Sequence, residues 1–291
     1  MIDLMVAATV LTHNGGQRSS NEDAVVVGSS TFTSVSSSRP HTVLVPARAH
    51  EPVVVAVADG LGGHQAGEVA AARVVHQLAR EGGSARMKSP EDVSAVLRTL
   101  SEELAADGRQ HPEQQDMGTT VVGLLVSLEQ IVWFNVGDSR AYVLSGGYLG
   151  QMSVDDTPAA IFAEAGESPE PTSVVTQSIG PSSPMPSAHT GVEIFSAENA
   201  YLLCSDGLSD LLKADEIECI LADYANKDQT AVKALWAAAM NAGGRDNITI
   251  VLIRARLHGR RDDDDAVRPV PGVTLAEADD AGPAQSAGSV P

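Results

Sequence analysis

Apolar positions along this chain gather into short continuous runs more often than into helical stripes. Residues 4–10 and 24–28 are two such runs. They flank a polar turn at 18–23, and both are expected to be strands. Residues 29–40 are rich in Ser and Thr, lack helical periodicity and end in Arg39-Pro40, so a loop or a long hairpin tip is expected there. A short strand at 41–46 and an unbroken Val/Ala strand at 53–58 follow, the second of a kind buried on both faces. Strands are also expected at 119–126, 131–136 and 140–144, joined by links short enough for an antiparallel meander. Further strands are expected at 190–195, 201–204 and 248–256.

Helical spacing appears at 67–80, through Val69, Val74, Val75 and Leu78. Ser89 as N-cap with Pro90 in the first turn predicts a second helix running to about 106. Amphipathic helices are expected at 214–224 and 229–241. Ahead of these two helices, 154–186 holds six prolines and is the least regular stretch, with a short helix expected at 156–164. Strands cluster early and late, with helix pairs between, which predicts α+β layering. A domain over 1–257 is expected. From 258 on, Pro, Gly, Ala and Asp dominate, so 258–291 reads as a disordered acidic tail.

The 291 residues are 43% hydrophobic but only 3% aromatic, so the core must be built mainly of Ala, Val, Leu and Ile. A net charge of -19 argues against nucleic acid and anionic membrane as partners. Cys204 and Cys219 read as small buried apolar residues, not a disulfide, which fits a reducing cytoplasm. The N-terminus shows no signal-peptide pattern, and no apolar segment reaches the roughly 18 residues a membrane helix needs.

The chemistry sits in short acidic motifs: Asn21-Glu22-Asp23, Asp59-Gly60-Leu61-Gly62-Gly63-His64, Ser205-Asp206-Gly207 and Gly244-Arg245-Asp246-Asn247. In three of them a carboxylate adjoins an apolar strand. Several carboxylates gathered at sheet rims repel one another unless a cation lies among them. Hard oxygen donors of this kind suit Mg²⁺ or Mn²⁺ better than Zn²⁺.

With Arg18, Gly118-Thr119-Thr120 and Gly137-Asp138-Ser139-Arg140 added, the motifs resemble, in order, those of the metal-dependent serine/threonine protein phosphatases, the type 2C-like family, in its bacterial form. The resemblance covers about residues 6–256. It implies a four-layer α/β/β/α sandwich, two antiparallel sheets flanked by helix pairs, with the site at one edge. It also implies phosphoserine and phosphothreonine hydrolysis by water activated between two Mn²⁺ or Mg²⁺ ions. Asp59 would bridge them, the Gly60 carbonyl would be a further ligand, Asp206 and Asp246 would complete the ligands of the first ion, and Glu22 and Asp23 would serve the second ion, largely through bound waters. Asp138 matches a position for a third, weaker ion. Arg18 matches the clamp on the substrate phosphate, and Thr119-Thr120 are expected to hydrogen-bond beside the site. His64 is the candidate acid for the leaving alkoxide, with a hydrogen-bonding role at the helix start as its plainer reading. Plainer readings stand for others too: helix capping for Asp59 and Asp206, a turn for Asp138 and Asp246.

The chain departs from the family pattern in a long link at 29–51. It also carries Asp155-Asp156-Thr157 where Asp-His-Ser/Thr is common at the start of the flap. Phosphoproteins made by Ser/Thr kinases, in signal transduction, are the expected partners of a monomeric enzyme. The alternative is a catalytically weak pseudophosphatase that binds phosphoproteins as a regulatory module.

Overall fold

The computed structural model describes residues 2–47, 51–61, 65–82, 86–111, 117–160, 174–180 and 185–259. Its strands are β1 (Ile2–His13), β2 (Ala24–Val27), β3 (Ser30–Phe32), β4 (His41–Ala47), β5 (Val53–Ala58), β6 (Gly60–Leu61) and β7 (Gly118–Thr119) in the first half. The second half adds β8 (Val121–Val126), β9 (Gln130–Val136), β10 (Arg140–Ser145), β11 (Tyr148–Gln151), β12 (His189–Ile194), β13 (Ala200–Cys204) and β14 (Ile248–Gly259). The helices are α1 (Gln65–Gly82), α2 (Pro90–Gln110), the single turn α3 (Asp206–Ser209), α4 (Ala214–Asp223) and α5 (Asp228–Asn241).

Two six-stranded sheets form, in the orders β11-β10-β13-β14-β1-β4 and β12-β9-β8-β5-β2-β3, and β6 pairs with β7 beside them. The ladders within both sheets are antiparallel. The period of two along each strand sorts side chains between cores. Val53, Val55 and Val57 of β5 meet Tyr201, Leu203, Val251 and Ile253 between the sheets, while Val54, Ala56 and Ala58 face the first helix pair with Val74, Leu78 and Leu97. Ile250 and Leu252 of β14 turn to the second helix layer, against Leu208, Ile217, Val232 and Leu235. Three cores between four layers explain why the central strands read as unbroken apolar runs: both of their faces are buried. The α/β/β/α sandwich expected from the motifs is the architecture observed.

Several boundaries move. β1 and β14 pair along their full lengths, from Ile2↔Gly259 to His13↔Ile248, so the closing strand passes the expected end at 256 and the expected domain limit at 257. The expected acidic tail lies, from 260 on, outside the described residues. α2 has its Ser89 capping box but continues to Gln110, with Gly108 carrying its buried face past 106. β3, β6 and β11 were not expected as separate strands. They are short, and neither β3 nor β11 has a fully buried residue to mark it. Of the helix expected at 156–164, residues 158–160 are helical and the remainder lies outside the described residues. No described helix is long and apolar enough to cross a membrane.

Candidate metal centre

Four chain segments bring carboxylates to one end of the sandwich. Asp23 precedes β2, Asp59 follows β5, Asp206 opens α3 just after β13, and Asp246 lies just before β14. The turn between β9 and β10 adds Asp138. Electrostatic coupling links them. Burial pushes the Asp59 carboxyl well above its usual range, and the charges of Asp23, Asp206, Asp246 and Asp138 push it further. Asp59 keeps some solvent contact at the residue level, yet its carboxyl is hemmed in by protein and by acids. Burial likewise raises Asp23, Asp206 and Asp138, the last to about 7, and neighbouring acids add to each. Like charges in a poorly solvated place disfavour ionisation in this way.

The backbone around these acids is held by uncharged polar side chains from distant segments. Asn247 accepts from the Glu22 N–H at 2.8 Å and donates to the Ser20 carbonyl at 2.8 Å, fastening the Glu22 turn to the end that carries Asp246. The Ser205 hydroxyl donates to Asp23 Oδ2 at 2.8 Å and accepts from the Thr249 N–H at 3.0 Å. Ser205 occupies the N-cap position of α3 but makes no side-chain cap bond, and Asp206 is the first helical residue, not its cap. The capping reading of Asp206 therefore fails. Thr120 N–H and the Thr119 hydroxyl both donate to the Asp59 carbonyl, at 2.9 and 2.8 Å, as expected of residues bonding beside the site.

Close packing sets α1 against the site. A Cβ on Gly60 would lie 2.5 Å from the Gly67 carbonyl carbon, and one on Gly67 would lie 2.5 Å from Glu22 Oε2. Only residues without side chains let the helix start, the Asp59-Gly60 corner and the Glu22 turn share this space. Arg18 reaches the rim, half exposed, and its Nη2 donates to Asp246 Oδ2 at 2.7 Å.

Arg18, Glu22, Asp23, Asp59, Gly60, Asp138, Asp206 and Asp246 are thus brought to one region. His64 lies outside the described residues. Among the described residues no three His, Cys, Asp or Glu side chains already stand at the spacing of one ion's ligands, so the convergence is one of charge, not a closed cage. The donor set nonetheless fits a hard divalent cation. Asp23 Oδ1 and Asp206 Oδ1 are buried without a hydrogen-bond partner, an unfavourable state for carboxylate oxygens that a cation would relieve. The nearby Cys204 thiol is buried in the apolar core, which pushes it up to about 12, so it offers no soft thiolate.

Two acids have no role at the site in the sequence reading, although Asp155 is noted at the start of the flap. Asp210, at the C-terminal end of α3, adds charge to Asp206 and Asp138 and is itself raised by burial. Asp155 binds the Arg140 guanidinium through Nε at 2.9 Å and Nη2 at 2.6 Å, bracing the strand after Asp138. The Ser-Asp-Gly and Gly-Asp-Ser-Arg motifs were the available signals for both.

The family described as Protein phosphatase 2C matches residues 44–248. The chain belongs to that family. It is 32% identical over 216 residues to the serine/threonine protein phosphatase PstP of Mycobacterium tuberculosis, covering 68% of this chain and 40% of PstP. It therefore spans less than half the length of that relative. It is 30% identical over 220 residues to the serine/threonine phosphatase stp of Listeria monocytogenes, covering 72% of this chain and 86% of that protein. The crystal structure of the PstP catalytic domain in complex with two manganese ions superposes with a TM-score of 0.69 at 27% identity, covering 87% of this chain and 99% of that one.

Proposed function

We propose that this phosphatase 2C family member hydrolyses phosphoserine and phosphothreonine esters in proteins with the help of bound Mn²⁺ or Mg²⁺. The observation that carries the reading is the convergence of Asp23, Asp59, Asp138, Asp206 and Asp246, with the Arg18 fork at its rim. The naming of the relatives as serine/threonine phosphatases and the two manganese ions of the PstP complex support it.

In this reading Asp59, Asp206 and Asp246 would hold one ion, Asp59, Glu22 and Asp23 would serve a second, and the Gly60 carbonyl would be a further ligand. Asp138 would hold a third, weaker one. When bound, such ions supply Lewis acidity and bring the pKa of a water toward neutrality. The protein's own groups do the rest. Arg18 presents a planar donor fork to the nonbridging phosphate oxygens, fixing the ester's orientation. The Asn247 hydrogen bond keeps the Glu22 backbone from shifting, and the Ser205 hydroxyl holds the Asp23 carboxylate, as charge develops. His64 is assigned the proton for the leaving alkoxide. No serine or cysteine nucleophile enters the scheme. Phosphoproteins made by Ser/Thr kinases are the substrates we assign, in cytoplasmic signalling, acted on by a monomer.

The test is hydrolysis of p-nitrophenyl phosphate and of a phosphothreonine peptide in EDTA and after adding Mn²⁺. Turnover of both that appears only with Mn²⁺ is the expected result. Tight binding of the phosphopeptide without turnover in Mn²⁺ would replace the enzyme with a pseudophosphatase.

A further inference from the structure

Asp156 is a buried carboxylate, 6% exposed, that the scheme above does not use. A buried charge is tolerated only when it is well bonded, and three segments supply its donors. Oδ2 accepts from the Gly137 N–H at 2.8 Å, in the β9–β10 turn. Oδ1 accepts from Gln177 Nε2 at 2.7 Å and pairs with His189 Nε2, at the start of β12, at 2.9 Å. The backbone repeats the same links: Asp156 N–H donates to the Gly137 carbonyl at 3.1 Å, and Thr176 N–H donates to the Asp156 carbonyl at 2.7 Å.

Gly137 is the residue immediately before Asp138. Its φ is +100°, and a Cβ there would lie 2.6 Å from Thr120 Cγ2, so the turn is wedged against the threonine beside Asp59. Asn135 grips the turn from the other side. Its Nδ2 donates to the Gly137 carbonyl at 3.3 Å and to the Val154 carbonyl at 2.6 Å. The aim of Asp138 therefore depends on a backbone N–H whose acceptor is Asp156. Removing that acceptor leaves a buried N–H unpaired and frees the turn to move.

We infer that Asp156 is a positioning residue for cation binding at Asp138, and that Gln177 and His189 tie the 174–180 segment and β12 to that same turn. The inference rests on the reading of Asp138 as a cation ligand. Groups that orient a metal ligand without touching the ion typically change metal affinity about 10- to 100-fold when removed.

The test follows free Mn²⁺ by its electron paramagnetic resonance signal during titration of the full chain, with no substrate present. Asp138→Asn is expected to abolish the weakest binding step of the wild type. Asp156→Asn offers one acceptor where two are needed, and is expected to weaken that step about tenfold while the tighter steps stay within about twofold. His189→Ala, at a partly exposed position, should shift it in the same direction by less. Near-UV circular dichroism checks that each variant is folded. If Asp156→Asn does not fold, His189→Ala and Gln177→Ala decide the question. An unchanged weakest step in the folded variants would overturn the positioning role. A wild-type isotherm left unchanged by Asp138→Asn would instead overturn the reading of Asp138, and this inference with it.

Discussion

At the scale of single residues, Asp59 shows how this site trades stability against function. Its carboxyl is pushed well above the usual range by burial and by four neighbouring acids, so without a cation its charge destabilises the fold at neutral pH. Asp59→Asn should therefore raise the melting temperature of the EDTA-treated protein while turnover in saturating Mn²⁺ falls at least about a hundredfold, the scale of losing one electrostatic stabiliser. Turnover near the wild-type value would remove Asp59 from the chemistry. Arg18 makes a different case. It is half exposed and pairs with Asp246 at the rim, so removing it costs the fold little. Arg18→Ala should raise KM for a phosphopeptide more than it lowers kcat, because the contact is made to bound substrate as well as to the transition state. An unchanged KM would take Arg18 out of the phosphate site. Asp59, Asp206 and Asp246 were legible in the sequence because they lie beside strands whose burial the apolar runs announce. Ser205, Asn247 and Asp156 were not legible in role. Ser205 bonds Asp23 182 residues away, and Asn247 bonds the Glu22 backbone 225 residues away, and no local pattern encodes partners at such distances.

Among the elements, the long apolar strands and the capped helix were legible, because strand runs and the Ser89-Pro90 signal are local properties. The misses share a physical cause. β6 and β7 are two residues each and exist because the Asp59-Gly60 corner is held against Gly118-Thr119, a tertiary event with no periodicity of its own. β11 is an edge strand made by pairing to β10, with Tyr148 exposed. The first turn of α1 also has a role that its amphipathic pattern does not reveal: Gly67 is pressed onto Gly60 and Glu22. Gly67→Ala would ordinarily favour a helix, but its methyl would sit 2.8 Å from the Gly60 carbonyl carbon and 2.5 Å from Glu22 Oε2. We expect the substitution to destabilise the protein by about 1–3 kcal/mol, the usual cost of overpacking, and to weaken Mn²⁺ binding as well. Denaturant unfolding and Mn²⁺ titration check both. A stabilised variant would show that the helix start can retreat without disturbing the site.

On the scale of the whole molecule, we propose that the catalytic unit ends with β14 at Gly259, and that removing residues 260–291 leaves melting temperature and phosphatase activity within error. A large loss of thermal stability would place part of that segment in the fold. The acidic cluster also makes a prediction about the whole fold through proton linkage. Burial pushes Asp138 up to about 7, and Asp23, Asp59 and Asp206 are likewise raised from the usual 3.8, burial being the first cause in each. In that pH range the folded state binds more protons than the unfolded state, so the cluster's contribution to stability is fully present at low pH and is lost as pH rises through the folded pKa values. His13, lowered from 6.5 mainly by burial, acts in the opposite sense, but in the range below about 6.5. The melting temperature of the EDTA-treated protein should therefore fall between pH 6.5 and pH 8. Cation binding reverses the trend, because the ligands must be ionised to bind a metal. The rise in melting temperature on adding Mg²⁺ should accordingly be larger at pH 8 than at pH 6.5. Differential scanning calorimetry at both pH values, with and without Mg²⁺, measures all four quantities. A melting temperature in EDTA that stays level or climbs over this window would mean that the carboxylates do not share one poorly solvated site.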